Sequence, residues 1–354
     1  MVPDLALERW AGVDRYAAGL ARWMPDAEQP EEARTMLGPR YLARYGLYPL
    51  ALARYRPALV HVLDHSYAHC LSAFPGVPSV VTVHDFQPLR DLAESGTSPR
   101  VAVRNRLLSW VMAWARRADR LIAVSAFTAS EAARVLDVPG ERIRVVHHAV
   151  DETFLAPAPP DAVAARRRGW LESTTNAAVL LNVGSCVPRK NVEAAIRALA
   201  LLRHGGINAY LVQIGGRFSH VQRAAIAEER LEPWIRQESA VAEDALVAAY
   251  CAADVVVLPS TYEGFGVPAL EAMATGVPIV TSGMGGLAEV VGNAALVVQP
   301  PEPRGLADAI ARLMSDAALR RSLVARGLAR ARARTWAQLV ADTRAVYAEL
   351  LPNP

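Results

Sequence analysis

Two short apolar runs bracket one glycine-rich turn, and together they restrict the architecture more than anything else in the chain. The first is DVVVL, Asp254 to Leu258, the second spans Pro278 to Thr281, and between them stands EGFGVPALE, Glu263 to Glu271. A β-branched run this brief, bounded by Pro259 and Ser260, reads as a buried parallel strand rather than a helix. Gly264 and Gly266 give the backbone freedom of a tight turn, Pro268 suits the first turn of the helix PALEAMA, and Gly276 stops it. Strand, loop, helix and strand in that order need a parallel sheet, which binds ligands at the carboxyl ends of its strands. The loop gathers backbone N–H groups and the positive end of a helix at one spot. Glu263 lies in the loop and Glu271 about one turn into the helix, so both could face a polyhydroxylated ligand. A tight connection with two solvated acids is the plainer alternative.

The same alternation extends through most of the chain. Strands are expected at 59–63, 79–83, 120–124 and 143–147, with helices near 66–72, 100–118 and 126–136 between them. A chain of 354 residues is long for one core and suggests two domains. Pro157, Pro159 and Pro160 mark a linker. The boundaries read as a first domain over 1–155, a linker over 156–177, a second domain over 178–335 and a terminal helix over 336–354 that crosses back to the first. Residues 25–58, without clear periodicity, read as a variable helical excursion.

Charge is nearly balanced at a formal +3, and the arginines are interspersed with acids, which disfavours nucleic acid as a partner. Three cysteines, Cys70, Cys186 and Cys251, form no Cys-x-x-Cys pair, so a reducing cytoplasm is the natural setting and structural zinc is not expected. No apolar run reaches the roughly 20 residues a bilayer span requires. The helix RVAVRNRLLSWVMAWARRADR is basic at both ends, with Trp110 and Trp114 one turn apart. Tryptophans so spaced usually pack into a core, and the other reading is peripheral contact with the inner face of a membrane.

Three further places could carry chemistry. Gly184 to Asn191, reading GSCVPRKN, follows the strand AVLLNVG and opens a helix at Val192, which puts Arg189 and Lys190 where two cations and a helix N-terminus can hold a diphosphate. His84 and Asp85 follow the strand PSVVTV, so they fall at the carboxyl end of a buried strand. His61, His65 and His69 have a spacing of four that suggests metal ligation, but they fall on a strand, a turn and a helix, and metal is not expected there.

The segment SxYEGFGVPALEAMATGVPIV, continued by Gly286-Leu287-Ala288-Glu289-Val290-Val291-Gly292, resembles the Glu-x7-Glu signature of retaining glycosyltransferase family 4, traceable over most of residues 120–350. The resemblance is to bacterial mannosyltransferase-like members. It implies an α/β fold of the GT-B type, two facing Rossmann-like domains with the active site in the interdomain cleft. It implies transfer of a hexose from a nucleoside diphosphate sugar, GDP-mannose or a UDP or dTDP sugar, to a hydroxyl of a glycan or lipid-linked acceptor. No cofactor is implied, and turnover is expected to be metal-independent. Glu263, His84, Lys190 and Arg189 take the catalytic positions. Gly184, Ser185, Arg189, Lys190, Gly264, Phe265, Gly266, Val267, Glu271 and Gly12 take donor-binding positions. Ser185 stands where many members carry arginine, and the segment 238–243, where the family holds the base, lacks the common glycine. Gly12 lies in WAGVDRY, similar to the family's loop into its first helix, but only Val2 to Leu7 is available for the preceding strand, normally central. A truncated start is the expectation drawn from this. A nucleotide-sugar epimerase or hydrolase on the same fold, and a binding protein without turnover, are the rival readings.

Overall fold

The computed structural model describes all residues except 7–10, 37, 88–98, 173, 175, 240 and 352–354. The chain divides into two compact units, Met1–Ala149 with Trp336–Pro354, and Val150–Thr335.

In the first unit four strands, β1 (Val60–Val62), β2 (Ser79–Val83), β3 (Arg120–Ala123) and β4 (Ile143–Val145), lie side by side in sequence order, all parallel. β1 and β2 are buried along their whole length, as expected of strands covered on both faces. Val2 forms a single parallel bridge to Val62, with its N–H donating to the His61 carbonyl at 2.7 Å. That bridge is on the outer side of β1, so among the described residues the opening segment edges the sheet rather than forming its centre. The excursion over 25–58 consists of short helical pieces, the longest continuous run being Arg40–Leu52 with a π-helical middle at Ala43–Leu47. The terminal helix Trp336–Ala348 belongs to this unit and packs on the helix Ala11–Trp23. The contact is so close that Gly19 has no room for even a Cβ against the Trp336 ring.

The second unit has a six-stranded parallel sheet in the order β10-β9-β8-β5-β6-β7, with β5 at Ala178–Val183, β6 at Ala209–Ile214, β7 at Ile235–Glu238, β8 at Val255–Leu258, β9 at Ile279–Thr281 and β10 at Leu296–Val297. This is a doubly wound sheet. The chain starts at β5, winds outward through β6 and β7, then returns to lay β8 on the other side of β5, with Leu180 opposite Val255. The switch point therefore lies between β5 and β8, and the loops leaving those strands diverge around a crevice. The helix Val192–His204 is alanine- and leucine-rich and buries Ile196, Leu199 and Leu202 against the sheet, which fixes the end of the β5 loop.

The proline-rich stretch expected as a linker is structured. Residues Pro160–Leu171 form a helix whose Trp170 indole donates to Glu238 at 2.7 Å, and whose Arg167 pairs with Asp254 at 2.9 Å. Pro160 sits in the first turn, where the missing N–H would have had no helical partner anyway, so the prolines start a helix instead of extending the chain.

Candidate functional site

Two loops meet at the switch point of the second unit. The β5 loop passes through the 3₁₀ turn Pro188–Lys190 and reaches its helix through Asn191, which takes a left-handed conformation (φ 49°). The β8 loop runs from Pro259 to Gly266 and enters the helix Val267–Ala274. Two hydrogen bonds lock the two together: the Thr261 N–H donates to the Arg189 carbonyl at 2.8 Å, and the Asn191 side chain donates to the Pro259 carbonyl at 3.2 Å while also donating to the Pro301 carbonyl, past β10, at 3.2 Å.

That locking brings opposite charges together. Lys190 Nζ donates to Glu263 Oε1 at 2.5 Å, Arg189 Nη1 lies 3.5 Å from Glu263 Oε2, and Ser260 Oγ donates to Oε1 at 2.8 Å. Glu263 is only 9% exposed, so its ion pair is largely desolvated, and a polar ligand entering here would compete with a preformed charge-assisted network. The Glu263 carbonyl accepts from the Gly286 N–H at 2.8 Å, which fixes the loop at its middle.

The expected donor-binding residues fall around this network. Gly184 follows β5 at φ 142°, a backbone conformation that side-chain-bearing residues rarely adopt, and it lies in ordinary contact distance of the Lys190 stem. Ser185 is exposed beside it. Gly264, Phe265 and Gly266 are buried and Val267 is half-buried. Gly266 has φ 112°, and a Cβ there would come within 2.5 Å of Leu287 Cδ1, so the turn needs glycine for both conformation and space. Glu271 is 2% exposed, and its Oε2 accepts from the Tyr250 hydroxyl at 2.7 Å. Tyr250, Asn191 and Ser260 had no role assigned from sequence. Ser260, inside the glutamate motif, and Asn191, at the end of GSCVPRKN, lie in motifs read from the sequence, whereas Tyr250 carries no local signal because it acts on Glu271 from 21 positions away.

Gly12 does not form a loop before the first helix. That helix begins at Ala11, so Gly12 is within its first turn, and Trp10 lies outside the described residues. Ala240, in the segment expected to hold the base, is also outside them.

In the first unit His84 follows β2 and is half-buried. Its Nε2 bonds the Leu63 carbonyl at 2.9 Å, and its Nδ1 is 3.3 Å from Nε2 of His148, which lies just past β4. A carbonyl can only accept, so His84 carries its proton on Nε2 and Nδ1 accepts from His148. Tyr16 places its ring edge-on to both imidazoles. Below them His61 bonds the Tyr347 hydroxyl at 2.6 Å and Thr82 Oγ1 at 2.7 Å. Burial lowers the pKa of His84 and His148, that of His148 well below the ordinary value, and holds His61 at about 3. His148 was not singled out from sequence. His61, His65 and His69 do not form a ligand set: His61 faces Thr82, while His69 bonds the Arg44 carbonyl at 2.9 Å.

Two family models divide the chain between them, "Glycosyltransferase Family 4" over residues 10–154 and "Glycosyl transferases group 1" over 166–330. The chain belongs to glycosyltransferase family 4. Among related proteins of this family, an O-antigen chain mannosyltransferase B of Escherichia coli is 32% identical over 233 residues, covering 65% of this chain and 60% of that protein. A D-inositol 3-phosphate glycosyltransferase of Nocardioides is 32% identical over 291 residues, covering 77% and 62%. The family 4 chain thus spans about three fifths of the length of these relatives. In fold it is similar to Anabaena HepE in complex with UDP and glucose, with a TM-score of 0.73 at 19% identity over 94% of each chain. It is also similar to a sucrose-phosphate synthase of Thermosynechococcus elongatus, with a TM-score of 0.70 at 24% identity over 89% of this chain and 80% of that one. These are GT-B glycosyltransferases, and the two parallel-sheet units of this chain have that fold. Among the described residues no helix is long and apolar enough to cross a membrane.

Proposed function

We propose that this family 4 chain transfers a hexose, with retention of anomeric configuration, from a nucleoside diphosphate sugar to a hydroxyl of a glycan or lipid-linked acceptor. The observation that carries the reading is the meeting of Arg189, Lys190 and Glu263 at the switch point between β5 and β8. The donor's diphosphate brings charge that outcompetes one carboxylate for the two cations, and Glu263, released from Lys190, then accepts hydrogen bonds from sugar hydroxyls. Arg189 and Lys190 stabilise the departing diphosphate as the bond to the anomeric carbon breaks, an interaction that strengthens with the developing charge. An oxygen of the leaving phosphate takes the acceptor's proton as the new bond forms on the same face. The amides of Phe265 and Gly266 orient the sugar, and Glu271 binds ribose hydroxyls. Because the two cations supply the charge, turnover proceeds without a divalent ion. The mannosyltransferases among the relatives and the strand-end His84 favour GDP-mannose as donor.

The test is a thermal-shift and calorimetric screen of GDP, UDP and dTDP sugars, followed by transfer assays with and without EDTA and assignment of the product anomer by NMR. One nucleotide sugar should stabilise the chain, and Lys190→Ala should weaken it at least tenfold. Inversion of configuration, activity lost in EDTA and restored by one ion, or no response to any nucleotide would each overturn the corresponding part.

A further inference from the structure

Gln213 is out of keeping with its surroundings. It stands in the mostly apolar strand β6, AYLVQI, fully buried, and its Oε1 meets no hydrogen-bond donor. An apolar side chain of similar size would avoid that cost, so what the amide contributes lies at its other end. Nε2 donates to the Gly184 carbonyl at 2.7 Å and lies 3.3 Å from that of Ile214; both neighbours can only accept, which puts the nitrogen on that side. The residues level with Gln213 on the adjacent strands act alike. Asn182 on β5 donates to the Val257 carbonyl at 2.6 Å, and Gln237 on β7 donates to the Gly216 carbonyl at 2.8 Å. From the helix His220–Glu228, buried Gln222 donates to the Cys186 carbonyl at 3.0 Å, while its Oε1 accepts from the Ser219 N–H at 2.9 Å. Side-chain amides therefore hold the carbonyls of the β5 loop inward at two places, Gly184 and Cys186.

Turning a carbonyl inward turns the next N–H outward, because the two point in opposite directions across a trans peptide. The Gly184–Ser185 and Cys186–Val187 peptides are both trans. With their carbonyls tied to buried glutamines, the N–H groups of Ser185 and Val187 face away from the core, and neither has an acceptor among the described residues. They lie in the loop that also carries Arg189 and Lys190. Gly184 makes such a strut necessary. At φ 142° a glycine tolerates either orientation of the peptide that follows it, so backbone preference alone does not decide whether N–H or C=O faces outward. An outward carbonyl would repel an anion, and an outward N–H would bind one. Gln213 selects the second. The β6 loop leaves room for this arrangement: a Cβ on Gly215 would lie 3.1 Å from the Gly184 oxygen, and one on Gly216 would lie 2.6 Å from the Cys186 nitrogen.

Taking the donor to be a nucleoside diphosphate sugar, as in the preceding reading, we infer that Gln213 and Gln222 are positioning residues for its diphosphate. They hold the Gly184 and Cys186 carbonyls inward, so that the Ser185 and Val187 N–H groups donate to phosphate oxygens without first having to turn. Neither glutamine touches the ligand. Each acts through one peptide plane of the β5 loop.

The test compares GDP and UDP with guanosine and uridine, which keep the base and ribose but lack phosphate, by calorimetry on the full chain. Gln213→Leu and Gln222→Leu should each lower affinity for the diphosphate that the parent binds by about tenfold, and leave affinity for its nucleoside within about twofold, since only donors to phosphate are lost. Nitrogen-15 NMR resolves the two peptides. In the parent, the amide protons of Ser185 and Val187 should move downfield on addition of inorganic pyrophosphate; in Gln213→Leu the Ser185 shift should be lost while that of Val187 persists, a pattern that general loosening of the fold does not produce. Should a variant fail to fold, the parent's own amide shifts decide. Undiminished diphosphate affinity in both variants, an equal loss for nucleoside and diphosphate, or Ser185 and Val187 amides indifferent to pyrophosphate in a parent that binds the diphosphate would overturn the inference and leave the donor reading standing. A parent that binds neither GDP, UDP nor pyrophosphate would overturn both.

Discussion

Lowering the pH should destabilise the first unit well before the second, and the size of the effect follows from its buried histidines. His61 is 1% exposed and held at about 3, and His69 is fully buried and held at about 4, in both cases chiefly because burial disfavours the charged ring. An unfolded histidine titrates near 6.5. Below that pH the unfolded chain takes up protons that the folded chain refuses, so this stability is complete above about 6.5 and is lost as the pH falls toward the folded values. At pH 5 each of the two costs about 2 kcal/mol relative to pH 8, roughly 4 kcal/mol together, a large share of a typical folding free energy. His84 and His148 are shifted in the same direction and add to it. The second unit contains only His204 and His220, both exposed, and so provides the control. Hydrogen exchange read by mass spectrometry across a urea series at pH 8 and pH 5 resolves the units. Protection in β1 and β2 should fall at pH 5 while that in β5 and β6 holds, and His61→Gln should lessen the pH difference by about 2 kcal/mol. Equal protection of β1 and β2 at the two pH values, or an equal loss in both units, would refute the reasoning.

Two substitutions probe the switch-point loops. Glu263→Gln keeps an acceptor for Ser260 and Lys190 but removes the charge that competes for Arg189 and Lys190, so affinity for a nucleoside diphosphate should rise by about 1 kcal/mol while turnover falls. Calorimetry with steady-state kinetics reads both, and weaker nucleotide binding would remove the competition argument. Gly266→Ala must hold a left-handed conformation with its Cβ against Leu287, and a loss of about 1–3 kcal/mol is expected in chemical denaturation. A variant as stable as the parent would show that the turn relaxes freely.

The sequence by itself determined the strand, loop and helix around Glu263, because β-branched runs, glycine and proline act on the backbone within a few residues. It also determined the parallel character of both sheets, since a helix between two strands brings the second back in the same direction. Family membership was legible for the same reason, the motif being contiguous. Only the tertiary structure decided which of these pieces meet. Lys190 and Glu263 are 73 positions apart, and their pairing follows from β8 lying next to β5, a choice of strand order that no local pattern encodes. Tyr250 reaches Glu271, and His148 reaches His84, across 21 and 64 positions, by the same kind of juxtaposition. Local signals misled where a residue fits two backbones: Pro159 and Pro160 suit a linker and a helix start alike, and packing of Trp170 and Arg167 on the second unit selects the helix. At the opening segment, Val2 takes an edge position because its backbone bonds to His61 and Leu63, a pairing between residues some 60 positions apart.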